Sequence, residues 1–182
     1  MINVRDLSNI YVVVVTCVVL RRFPDGFLRT LILKREDSEE EGPGLWTVPG
    51  GKVDRKDWGR PKITRSHKNW KGVIVRAIKR EVREETGLIL SRVFMLESRD
   101  TVFIRKSGVP TLVLTFFALV DSDDRIGLGG DFKDSRWVER RELARFAFIG
   151  DVGADIKKAM DHFELMLSST SSQSAKKSVL SI

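Results

Sequence analysis

The chain has 182 residues, with 32 Lys plus Arg against 25 Asp plus Glu, a formal charge of +7. That length suits one domain, or one domain with a tail, and 42% hydrophobic with 31% charged residues excludes wholesale disorder and collagen-like or low-complexity architectures. A lone cysteine, Cys17, excludes an internal disulfide and a Cys-rich zinc site, and points to a reducing, cytoplasmic setting.

The first element is an apolar run of eleven residues, Ile10 to Leu20, with the sequence IYVVVVTCVVL. It is too short to cross a bilayer, which takes roughly 20 such residues. The leader MINVRD offers one cation, Arg5, balanced by Asp6, and Arg21-Arg22-Phe23 stands where a small-residue cleavage site would be. The Val-rich run therefore reads as a strand buried on both faces, with no membrane partner. A turn at Phe23-Pro24-Asp25-Gly26 leads to a second strand, Phe27 to Arg35. Glu36 to Glu41 holds five acids and reads as a solvated loop, and Trp46-Thr47-Val48 is a short extended piece ending at Pro49-Gly50-Gly51. Residues 52 to 69 show neither period. From about Trp70, Val73, Ile74, Ala77, Ile78 and Val82 recur at helical spacing, and Thr86-Gly87 stops the helix. Strands are expected at about 93–97, 101–105, 111–120 and 135–139, and helices over 140–148 and 154–167. Ser168 to Ile182 reads as a mobile tail, leaving residues 1–167 as the domain. The order of elements gives an α/β protein with a mixed sheet covered on two sides.

The most informative string is Arg80-Glu81-Val82-Arg83-Glu84-Glu85-Thr86-Gly87-Leu88. Glu81, Glu84 and Glu85 project from one side of a helix, beside the apolar stripe of Ile74, Ile78 and Val82. Clustered carboxylates repel unless a cation lies among them, and hard oxygen ligands suit Mg²⁺ or Mn²⁺, which in turn suits phosphate substrates. Taken alone, the string is also an ordinary charged helix face. It follows Pro49-Gly50-Gly51, however, and with that stretch it resembles the signature of the Nudix hydrolase family: Gly, five residues, Glu, seven residues, then Arg-Glu-apolar-any-Glu-Glu-any-Gly-apolar. Arg80 to Leu88 matches at each defined position, and Gly51 starts the pattern correctly. The first box carboxylate is Asp57 rather than Glu, with Asp54 as the neighbouring alternative. From Asp57 to Arg80 there are 22 residues where the pattern has seven, an insertion of 15.

The resemblance implies a Nudix-type α/β/α sandwich around the mixed sheet, and a Nudix-type pyrophosphohydrolase acting on phosphoanhydride bonds. By it, Glu81, Glu84 and Glu85 with the Gly50 carbonyl would hold Mg²⁺ or Mn²⁺, Arg80 would orient a glutamate, and Glu81 or Glu84 could act as base. Asp131, on the loop before the strand that holds Trp137, is the candidate outside ligand or base; its alternative is a solvated loop acid. Arg35 is a candidate for substrate phosphate, its alternative being a surface cation that balances the adjacent acidic loop, and Trp46 and Phe103 are candidates for stacking on a nucleobase, although aromatic residues on strands are more often core. His67 and His162 show no catalytic spacing, and Cys17 reads as a buried small hydrophobe.

Residues 55 to 71 carry seven cations (Arg55, Lys56, Arg60, Lys62, Arg65, Lys68 and Lys71) against the single acid Asp57, a net of +6, and Trp58 and Trp70 bracket them. The remainder of the chain has 25 cations against 24 acids. The basic stretch reads either as a clamp for polyphosphate or RNA, or as a solvated loop paired with the acidic run at 36–41. The expected activity is Mg²⁺-dependent hydrolysis of a nucleoside diphosphate joined to another group, such as a nucleoside triphosphate, ADP-ribose or a dinucleotide. The alternatives are hydrolysis of capped or 5′-triphosphorylated RNA, and a non-catalytic nucleotide-sensing module. The partner is a small-molecule nucleotide, with RNA a further candidate, and the family suggests a homodimer.

Overall fold

The computed structural model describes residues 11–63, 68–121 and 125–179, with side chains as far as residue 168. Strands β1 (Val12–Arg22), β2 (Leu28–Arg35), β3 (Trp46–Thr47) and β4 (Gly50–Lys52) come first. A short antiparallel pair, β5 (Lys62–Ile63) and β6 (Lys68–Asn69), precedes helix α1 (Val73–Thr86). Then follow β7 (Phe94–Ile104), β8 (Pro110–Leu119), β9 (Phe132–Glu139) and helix α2 (Val152–Val179).

The main sheet has seven strands and is mixed: β1 runs parallel to β8 and antiparallel to β2 and β4. Strand β1 meets β2 through Leu20 to Arg22 and β4 through Val14 to Thr16, so the first two strands splay apart. The segment carrying β3 and β4 fills the fork, with β3 paired to Leu33 and Lys34 of β2. That fork positions Gly50 and Gly51 beside the middle of β1.

Each face of β1 has its own core, which explains the unbroken Val run. Val15, Cys17 and Val19 pack with Leu31, Leu33 and Phe116 under Ala77, Ile78 and Val82 of α1. Val18 and Leu20 pack with Ile32, Phe117 and Leu96 under Ile156, Ala159, Met160 and Phe163 of α2. Burial of such a side chain is worth about 1.5–3 kcal/mol, so both layers are held by apolar contact rather than by ion pairs. The α/β/α sandwich expected from the sequence is the fold observed.

Four local expectations change. The strands expected at 93–97 and 101–105 are one strand, β7, broken by a bulge between Met95 and Asp100 where Ser98 takes φ 56°. Residues 140–148 form a 3₁₀ turn, Arg140–Arg145, closed by Glu142 hydrogen-bonding back to the Glu139 N–H, and then extended backbone at Phe146. The stretch without period, 52–69, contains β5 and β6, each only two residues long and so too short to show alternation. Helix α2 continues past Leu167 to Val179. His67 and Arg65 lie outside the described residues. No helix among the described residues is long and apolar enough to cross a membrane.

Candidate metal and phosphate site

Helix α1 delivers the carboxylates. Its buried stripe of Ala77, Ile78 and Val82 seats it on the sheet, and Gly87 ends it in the left-handed region with φ 76°. This seating turns Glu81 and Glu85 towards the fork and leaves Glu84 half exposed. The Glu85 Oε2 accepts the Gly50 N–H at 2.9 Å. A Cβ added at Gly51 would lie 2.5 Å from the Glu81 carboxyl carbon, and one at Gly50 would lie 2.3 Å from the Val15 carbonyl oxygen. Gly50 is therefore required by the close approach of the β1 backbone, while at Gly51 a side chain would displace the Glu81 carboxylate.

Arg80 organises the cluster. Its Nε and Nη2 donate to the two carboxyl oxygens of Asp57 at 2.7 and 2.9 Å. Its Nη1 meets Glu81 at 2.7 Å and Glu84 at 3.0 Å, and Nη2 also donates to the Lys52 carbonyl at 3.0 Å. Asp57 is 3% exposed and accepts the Asp54 N–H at 2.8 Å, while Asp54 caps the short turn Arg55–Asp57 by accepting the Lys56 N–H. The two aspartates thus divide the roles left open by the sequence: Asp54 is a cap, and Asp57 is the buried anchor of Arg80. Hydrogen bonds from Arg80 hold the Asp57 carboxyl below its usual range.

The remaining acids differ sharply in environment. Burial, reinforced by the charge of Glu81, pushes the Glu85 carboxyl up to about 8, against the opposing Gly50 N–H. Burial also raises Glu81, partly offset by Arg80. Glu84 is slightly desolvated, but Arg80 and Lys56 outweigh this and lower it; the Lys56 Nζ lies 3.4 Å from Glu84. Among the described residues no three acidic, histidine or cysteine side chains converge as a ready metal cage. The reason is visible: Arg80 holds Glu81, and Arg80 with Lys56 holds Glu84. The donor set nevertheless fits a hard divalent cation. Two adjacent carboxylates are destabilised as anions, and the oxygen donors lie against the Gly50 backbone, an arrangement that Mg²⁺ or Mn²⁺ would relieve.

The loop carrying Asp131 packs on the last turn of α1, through Gly127 N–H to the Thr86 carbonyl and Gly129 N–H to the Glu85 carbonyl, both 3.0 Å. The Asp131 carbonyl accepts the Glu36 N–H at 3.0 Å, which ties this loop to the residue after Arg35. The Asp131 side chain is exposed. Arg35 pairs with Glu39, keeps a buried Nε with no partner, and is close enough for its charge to favour the Glu85 carboxylate. Phe103 is 37% exposed on β7, with the Arg105 guanidinium 5.8 Å from its ring centre.

Trp46 does not present a stacking face. It is 7% exposed, sits in the core beneath α2, and packs edge-on against Phe146 at 5.1 Å. Sequence reasoning missed Arg76, whose Nε and Nη2 donate to the carbonyls of Asp57 and Trp58, both at 2.6 Å. Its only signal is its place one turn before Arg80 on the same helix. An open groove of about 490 Å³ lies beside α1, lined by Lys79, Arg80, Arg83, Glu84, Ile89 and Leu90.

The family model for the NUDIX domain matches residues 11–160. The chain belongs to that family. The expected enzyme class, a Nudix-type pyrophosphohydrolase, is the class this membership gives. Among solved structures, the NUDIX domain of Shewanella oneidensis NrtR complexed with ADP ribose aligns with a TM-score of 0.65 at 18% identity, over 90% of this chain and 99% of that one. A Caenorhabditis elegans Ap4A hydrolase binary complex aligns at 0.61 with 22% identity, covering 87% and 98%. The MutT protein from Methanosarcina mazei Go1 aligns at 0.59 with 19% identity, covering 85% and 95%. No curated protein matches the sequence.

Proposed function

We propose that this Nudix domain hydrolyses the diphosphate linkage of a nucleoside diphosphate joined to another group, such as a nucleoside triphosphate, ADP-ribose or a dinucleotide, with Mg²⁺ or Mn²⁺. One observation carries the reading: Glu81 and Glu85, both destabilised as anions by burial, lie against Gly50–Gly51 with Arg80 locked beside them. The ADP ribose and Ap4A named for the structural neighbours support a nucleotide substrate class.

Glu81, Glu84, Glu85 and the Gly50 carbonyl are the ligands in this reading. A divalent cation held there supplies charge neutralisation at the phosphate oxygens and lowers the pKa of a bound water. Arg80, fixed on Asp57, keeps Glu81 in register. Arg35, with its unpartnered Nε, binds a phosphate oxygen, and Asp131 takes a proton from the attacking water or completes the ligand set. Phe103, exposed on the hairpin whose Lys106 N–H reaches Glu41 of the acidic loop, stacks on the base.

The test is a nucleotide screen with Mg²⁺ and with Mn²⁺, following product identity, on the full chain and on Glu84→Gln and Glu85→Gln. Metal-dependent product release by the unmodified chain and its loss in both variants is the expected result. Turnover unchanged in both variants would remove the ligand assignment.

A further inference from the structure

The described residues of the box insertion form an arm with a closed neck. Trp58 and Trp70, twelve positions apart, meet with ring centres 5.1 Å apart and planes at 57°. Arg76 clamps the neck to α1 through the Asp57 and Trp58 carbonyls, and β5 pairs with β6 beyond it. The arm leaves the domain between Asp57, which anchors Arg80, and the start of α1, and Lys56 at its base contacts Glu84. The base of the arm therefore lies next to the carboxylates.

Its charge is not neutralised. Arg55, Arg60, Lys62, Lys68 and Lys71 are all exposed, and none has an ion-pair partner among the described residues. Of the five acids at 36–41, the nearest run of counter-charge in sequence, none pairs with these cations among the described residues, and three are engaged elsewhere. Glu39 pairs with Arg35, Asp37 with Lys133 at 2.5 Å, and Glu41 accepts the Lys106 N–H at 3.0 Å. Like charges crowded on a short arm repel, so this arrangement favours a polyanionic partner over a bare surface. The tryptophans narrow the choice. Trp58 and Trp70 close the neck yet stay 40% and 37% exposed, and the Arg55 guanidinium lies 5.9 Å from the Trp58 ring centre. Cations beside exposed aromatic rings are the chemistry that tracks a phosphate backbone while stacking unpaired bases. Inorganic polyphosphate would use the cations alone.

We propose that the arm at residues 55–63 and 68–71 binds single-stranded nucleic acid and holds the strand with its terminal phosphates towards Glu81, Glu84 and Glu85. The orientation rests on the hydrolase reading; the binding does not. The experiment uses the full chain in EDTA, with a fluorescent 20-nucleotide single-stranded RNA as the probe and fluorescence anisotropy as the readout, across a salt series. Arg60→Ala, Lys62→Ala, Lys68→Ala and Lys71→Ala combined should reduce the slope of log affinity against log salt by about 2.8, from about 0.7 per lost contact. Trp70→Ala should weaken RNA about tenfold or more and leave competition by inorganic polyphosphate unchanged. Circular dichroism and thermal unfolding of both variants report whether the domain stays folded. An unchanged slope and affinity in the folded charge variant overturns the proposal. So does polyphosphate competing as well as RNA per phosphate with Trp70→Ala without effect, which marks a general polyanion site, and so does binding to anionic vesicles without binding to RNA. Absence of turnover on any nucleotide would defeat the hydrolase reading and leave the EDTA binding result standing.

Discussion

Replacing Asp57 by Ala tests whether the insertion has left the box intact. Asp57 is 3% exposed and accepts two bonds from Arg80 and one from the Asp54 N–H. Removing one partner of a buried ion pair costs about 3–5 kcal/mol. Arg80 retains Glu81, Glu84 and the Lys52 carbonyl, which places the loss near the lower end, about 3 kcal/mol. A domain of this size should then lose roughly 6–12 °C in Tm, at about 2–4 °C per kcal/mol. The sign with pH follows from the lowered Asp57 carboxyl. Its stabilisation is present above the unfolded value near 3.9 and disappears as pH falls through the lower folded value. The gap between wild type and Asp57→Ala should therefore be full at pH 7 and begin to narrow only below about pH 4. Urea denaturation at pH 7 and at pH 3.5 measures both. A gap under about 1 kcal/mol at pH 7 would refute the anchoring role and reduce Asp57 to a turn residue.

Three further outcomes are expected. In EDTA, the raised Glu85 carboxyl stabilises the fold fully below its unfolded value near 4.3, and this stabilisation is lost as pH rises through about 8. Glu85→Gln should flatten that decline, so thermal melts from pH 5 to 9 with equal slopes for both proteins would contradict the burial argument. Gly51→Ala should displace the Glu81 carboxyl, the flexible end of a side chain, so turnover falls about 100-fold while stability changes by under about 1 kcal/mol; a stability loss matching the activity loss would defeat it. Cys17 is fully buried and its thiol is pushed far up by burial, so a thiol reagent should label it only in denaturant, and rapid native labelling would show the core strand misplaced.

The parts of this protein legible in sequence are those where one local rule dominates. Val15, Cys17 and Val19 face one core and Val18 and Leu20 the other, so a continuous apolar run could only be a strand covered on both sides. The helix carrying Glu81, Glu84 and Glu85 was legible because its apolar stripe and Gly87 stop obey the helical period. Trp46 was misplaced because strand position says nothing about which face is covered, and the segment 146–149 lies against it, through the Phe146 ring and the backbone of Ala147 and Ile149. The role of Asp57 was illegible for a different reason. Its partner Arg80 is 23 positions away, and only the closed neck between them restores the contact.

That neck also explains why a signature loop tolerates fifteen extra residues. Lengthening a flexible connection from seven to 22 residues costs about 1 kcal/mol of closure entropy. The Trp58–Trp70 ring contact contributes about 0.5–1.5 kcal/mol beyond its area, and the two charge-assisted bonds from Arg76 add to it. The insertion is therefore close to neutral for the fold, because the chain returns to the point where it left. Stability alone neither requires nor forbids it. What stability does not explain is its composition. The described cations beyond the neck, Arg60, Lys62 and Lys68, contribute nothing to closing it, and two acids of the 36–41 run, Glu39 and Asp37, are bound to Arg35 and Lys133 instead. A charge that the fold neither uses nor cancels is most economically assigned to a ligand, and Lys56 at the base of the arm, 3.4 Å from Glu84, marks where such a ligand would reach the box.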